Sequence, residues 1–112
     1  MEDELIEILE SFGYPVFRQG SMSEYAKYPD NFFTFWNTDS YCRYYNNREY
    51  ETEWDYDVNF YSIDPSNTYS VLASARSKLK ERNWIVPGKG YDVTSDETTH
   101  TGRGMEVIYL QK

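Results

Sequence analysis

The stretch Tyr50–Ser62, YETEWDYDVNFYS, alternates in hydrophobicity residue by residue. Trp54, Tyr56, Val58 and Phe60 fall on one side; Asp55, Asp57, Asn59 and Tyr61 fall on the other. A period of two is the signature of a half-buried β-strand, here with one greasy face and one acidic, wet face. The strand is about twice the usual length, which places it at the centre of an antiparallel sheet, since a long open edge invites aggregation. Asp64-Pro65 follows at once. Asp caps free backbone N–H groups and Pro suits the first helical turn, so the strand runs into a helix with almost no loop.

The flanking elements have weaker patterns. Leu5, Ile8, Leu9 and Phe12 make one apolar stripe, predicting a helix over Glu2–Phe12 that Gly13 stops. Val16–Gln19 reads as a short strand and Gly20–Asp30 as a loop. Asn31–Asn37 (NFFTFWN) reads as a strand with two apolar faces, Phe33 and Phe35 on one and Phe32 and Trp36 on the other. The second of those faces has to meet a loop or another molecule. Thr38–Glu49 is polar, rich in Asn and Tyr and without a period; it reads as a hairpin loop. Tyr69, Leu72, Ala75, Arg76 and Leu79 line a helix over Pro65–Arg82, with Lys78, Lys80 and Arg82 at the end that favours cations. Trp84–Val86 starts a strand that Pro87-Gly88-Lys89-Gly90 breaks. Tyr91–Gly104 reads as a long turn and Met105–Gln111 as the last strand. The order α-β-β-β-α-β-β, within one domain over residues 1–112, predicts an α+β fold. Its sheet is antiparallel (mixed), of four to five strands, with both helices packed on one face.

Composition narrows the partners. A net charge of −8 argues against phosphate and against anionic membranes, because both need Lys and Arg. Twelve Tyr in 112 residues favour protein surfaces, where Tyr is enriched. Cys42 is the single cysteine, so no internal disulfide is possible and a reducing cytosol is expected. No apolar run approaches the ~20 residues of a membrane span, and the acidic start is unlike a secretory signal. Catalytic chemistry has little to work with. His100 is the single histidine, beside Ser95 and Asp96, and reads as a hydrogen-bonding loop residue. Cys42 has only Arg43 to activate it. One Cys and one His cannot build a structural zinc site. Gly88-Lys89-Gly90 lacks the rest of a phosphate loop. Asp92, Asp96 and Glu97 lack calcium-loop spacing, and nothing marks a cleft around Asp55 and Asp57. No enzyme, metal or cofactor is expected.

Several segments together resemble a known family: FGYPVFRQG, YPDNFFTFWN, the long strand ending DVNFYSIDP, and WIVPGKGYDVTSDETTHTGRGMEVIYL. They are similar to the small tail-completion, or tail-terminator, proteins of long-tailed phages and Gram-positive prophages. Tyr61-Ser62 stands where that family has a "YS" dipeptide, and Trp84 opens its final hairpin. The resemblance implies a structural head–tail joining protein of the virion, assembled in the host cytoplasm. It implies a homo-oligomeric ring, usually a hexamer, between the tail tube protein and the head connector protein, with DNA passing through and not specifically bound. On that reading Phe32, Trp36, Tyr41, Tyr44 and Tyr45 are expected at subunit or partner interfaces, and Asp55 and Asp57 face the channel and repel DNA.

A second reading takes the acidic strand itself as the active surface. Glu49, Glu51, Glu53, Asp55 and Asp57 occupy alternate positions, about 6.8 Å apart by strand geometry. A DNA mimic that inhibits a host DNA-binding protein would use such a row.

Overall fold

The computed structural model of the protein describes residues 1–19, 29–45, 48–95 and 98–111, with the backbone only for 43–45 and 48–50. Helix α1 spans Glu2–Glu10, β1 Val16–Arg18, β2 Asn31–Tyr45, β3 Arg48–Ser62, α2 Pro65–Glu81, β4 Tyr91–Val93 and β5 Thr101–Gln111. The five strands form one sheet in the order β1-β2-β3-β5-β4, so the alternating stretch is the central strand, as its length predicts. Every pairing is antiparallel except β1 with β2. The fold is α+β, with two helices and a mixed sheet.

The pleat decides what β3 buries. Tyr56, Val58 and Phe60 point into a core shared with Phe33 and Phe35 of β2 and with Met105 and Val107 of β5. Leu5, Ile8 and Leu9 of α1 and Leu72, Ala75 and Leu79 of α2 close the same core from one side. Glu2 fastens the start of α1, pairing with Arg18 of β1 at 2.9 Å and accepting from the Tyr56 hydroxyl at 3.0 Å. Gly13 stands at φ +88 just past α1, a left-handed position that suits glycine.

Both ends of α2 follow from local chemistry. The Asp64 side chain accepts from the Ser66 backbone N–H at 3.0 Å, with Pro65 opening the helix. At the other end Asn83 takes φ 70; its N–H donates to Lys80 and that of Trp84 to Leu79, each at about 3 Å. This paired closure is the Schellman arrangement. It turns Trp84 back into the core against Tyr56 and Tyr109.

Three sequence expectations change. Thr38–Glu49 is not a loop: β2 runs to Tyr45 and β3 begins at Arg48, giving a hairpin of two 15-residue strands. Its arms leave the rest of the sheet, so no buried face stamps an apolar period on them. Trp84–Val86 is not a strand; only Ile85 bridges to Ile108. Tyr91–Gly104 is not one turn, because β4 and the start of β5 pair within it. The Gly20–Asp30 loop lies outside the described residues up to 28.

Candidate interaction surface

The sheet face away from the helices carries most of the residues singled out by the sequence. Cross-strand register sorts them into rows. Phe32 lies opposite Tyr61 and Gly102, and Trp36 opposite Asp57 and Glu106. Asp39 lies opposite Asp55 and Ile108, and Tyr41 opposite Glu53 and Leu110. Asp55 and Asp57 therefore share this face, as alternation predicts.

Phe32 is a correction. It is only 4% exposed, because the chain itself covers it. Its ring stacks on Tyr61 at 5.1 Å and meets Phe17 and His100 edge-on. The second apolar face of β2 thus meets the chain's own segments at this end, and Phe32 is not an open contact residue. Trp36 is half-buried and Tyr41 is 51% exposed. The side chains of Tyr44 and Tyr45 lie outside what is described.

Asp55 is a second correction. It is 7% exposed, too withdrawn to line a channel in the isolated chain. Its Oδ1 is buried and accepts no hydrogen bond. Asn37 bridges the register shift beside it, donating from Nδ2 to the carbonyls of Asp39 and Asp55 at 2.9 and 2.8 Å. Asp57 is half-buried and accepts from the Tyr91 hydroxyl at 3.1 Å. Asp39 accepts from the Tyr41 hydroxyl at 2.5 Å.

Like charges stand directly opposite each other here, Asp39 against Asp55 and Asp57 against Glu106. Such pairs are destabilising. Burial first, then the charge and hydrogen bond of Glu53, then Glu106 and Asp39, push the Asp55 carboxyl up from 3.8 to about 6. Burial and Asp57 likewise push Tyr91 up to about 12.

A carboxyl whose pKa rises on folding binds its proton more tightly in the native state. Its contribution to stability is fully present below about 3.8 and is lost as pH climbs through about 6. Asp55→Asn is therefore expected to stabilise the fold at pH 8 by on the order of 1–2 kcal/mol, with a smaller gain at pH 5. Urea unfolding at both pH values checks this, and an equal or absent effect would contradict it.

The other residues of chemical interest make contacts within the fold. His100 faces the Pro29 carbonyl through Nε2 at 2.8 Å, which makes that nitrogen a donor; Nδ1 lies 2.9 Å from the Thr99 hydroxyl. It holds two segments together over Phe32. Cys42 is exposed, with Sγ 3.8 Å from Thr52 Oγ1. Arg76 donates to the Gly88 carbonyl at 2.8 Å, fixing Gly88–Gly90 as a turn. Asp92 pairs with Arg103 at 2.8 Å, while Asp96 and Glu97 lie outside the described residues. Among the described residues no group of three His, Cys, Asp or Glu is placed to hold a metal ion, and no helix is long and apolar enough to cross a membrane.

Sequence reasoning missed the seclusion of Asp55. The signal available was Ile108, an apolar residue on a strand whose register could not be read in advance.

No model of a known protein family matches the chain, and no curated protein matches it.

Proposed function

We propose that this chain is a structural subunit that acts through its surfaces. It assembles as a ring on the end of a phage tail tube, joins the tube to the head connector and leaves a lumen for DNA. The observation that carries this reading is the long β2–β3 hairpin on a sheet with helices on one face. β1 stops pairing with β2 at Phe35 and β5 stops pairing with β3 at Thr52, so the hairpin continues past both neighbours. The molecule is accordingly elongated, 53 × 28 × 22 Å. Strand edges and Tyr-bearing surface that the described residues leave unpaired suit contact with other chains. Head-to-tail contacts between identical copies close into rings when the rotation allows. The segments quoted from FGYPVFRQG onward support the tail-terminator form of that assembly. Asp57, half-exposed, is the acid retained for the lumen.

The DNA-mimic reading is less favoured. It needs an even row of carboxylates, and the register shift at the far end of the hairpin sets Glu49 opposite Tyr44, out of step with Glu51 opposite Arg43.

Negative-stain images of tails assembled with and without the protein test the proposal. Without it, tails of uncontrolled length that do not join heads are expected. Uniform, head-joined tails in its absence would overturn the reading.

A further inference from the structure

The acidic rows around Asp55 are an unfinished arrangement. A carboxylate is held at 7% exposure with one oxygen unsatisfied, and a second carboxylate, Asp39, is set directly across from it. No Lys or Arg among the described residues pairs with Asp39 or Asp55. Tyr41, 51% exposed, follows Asp39 on the same face, and Ile108, half-buried, stands directly opposite Asp55. Acidic groups beside apolar surface suit a Lys or Arg side chain, since its stem is greasy and its head is charged.

The same chain carries exposed cations on its other layer. Lys80 and Arg82, at the C-terminal end of α2, are exposed and without a carboxylate partner among the described residues. Lys78, by contrast, is engaged by Ser11 Oγ at 2.6 Å and lies over the Phe12 ring. Two acidic faces cannot meet each other, because the pairing would oppose acid to acid. A face-to-back contact opposes acid to base.

We propose that the Asp39–Asp55 surface of one copy seats the Lys80 and Arg82 end of α2 from a second copy of this chain. This contact is heterologous, the kind that propagates around a ring. It rests on the assembly reading above and names the residues that carry it. The occupant meets the exposed Asp39 carboxylate and offsets the charge that Asp39 and Asp55 set against each other. Groups facing Asp55 from each packed strand are Asp39 and Tyr41 from β2, Glu53 and Asp57 from β3, and Glu106 from β5. All are acids or hydroxyls, so the negative charge of the seat falls as Asp55 takes up its proton.

Sedimentation velocity at high protein concentration and low salt tests the contact, using the wild type, two variants and their mixture. The wild-type chain is expected to self-associate, less so at high salt and below about pH 6. Asp39→Lys alone, and Lys80→Glu with Arg82→Glu, are each expected to weaken association roughly thirtyfold or more. All three positions are exposed, so folding is preserved; circular dichroism verifies it. Mixing the two variants is expected to restore assembly, because every contact in an alternating ring then opposes Lys to acid. Association that survives in both variants, or fails to return on mixing, overturns this contact and leaves the ring to another surface. A wild-type chain that stays monomeric also overturns it. Tail length in the electron-microscopy experiment judges the ring reading independently.

Discussion

Phe60→Ala is expected to cost about 4 kcal/mol, the largest loss from any single truncation proposed for this chain. Phe60 is fully buried at the middle of the core. Its ring lies 4.7 Å from that of Phe33 on the neighbouring strand and 5.3 Å from that of Tyr14, which arrives from the turn after α1. Removing it deletes both aromatic contacts and leaves a cavity between sheet and helices. The surrounding strands are tied by backbone pairing on both sides of β3 and cannot collapse into the gap. Urea unfolding monitored by tryptophan fluorescence measures the cost. A loss below about 2 kcal/mol would mean that the helices shift to fill the space.

Gly104→Val is expected to cost about 3 kcal/mol, lowering the thermal midpoint by roughly 10–20 °C. Gly104 pairs with Asn59 of β3 and Tyr91 of β4, on the face away from the helices. A Cβ there would collide with Asn59 Oδ1 and come within 3.1 Å of the Tyr91 ring and 3.2 Å of Val93. Asn59 is only 4% exposed and has nowhere to swing. The Tyr91 ring crosses this glycine to reach Asp57, so the substitution is also expected to free that hydroxyl. Differential scanning calorimetry and the tyrosine absorbance titration report the two effects. A midpoint within a few degrees of wild type would show that β4 peels away without cost.

The sequence announced those elements that bury one face or begin with explicit chemistry. β3 shows a period of two because Tyr56, Val58 and Phe60 pack on helices while their neighbours do not. α2 declares its start through Asp64-Pro65, and the start is where the structure has it. The hairpin arms stayed hidden for the opposite reason. Past Asn37, β2 leaves the helical layer, so its residues follow polarity and not pleat, and the sequence reads as a loop. β4 is three residues long and is held by pairing with β5 rather than by any pattern of its own. The parallel pairing of β1 with β2 depends on α1 being in place, which no local rule contains.

On the candidate surface, alternation placed Asp55 and Asp57 on one face correctly but could not tell that one is sheltered and the other half-open. Phe32 illustrates the same limit from the apolar side. Its exposure was decided by His100 and Phe17, from segments distant in sequence, and those contacts exist only once the sheet is built.

The order in which β3 acquires neighbours has a consequence for biosynthesis. β2 pairs with β3 through a short connection, but β5 joins the other edge only after α2 and β4 have been made. While ribosomes translate that interval, the stretch Thr52–Ser62 displays a row of unmet amide and carbonyl groups beside Tyr56, Val58 and Phe60. Nascent chains crowded on one messenger would pair through that row. Slow translation across residues 63–100 therefore favours inclusion bodies, and co-producing a holdase chaperone protects the product.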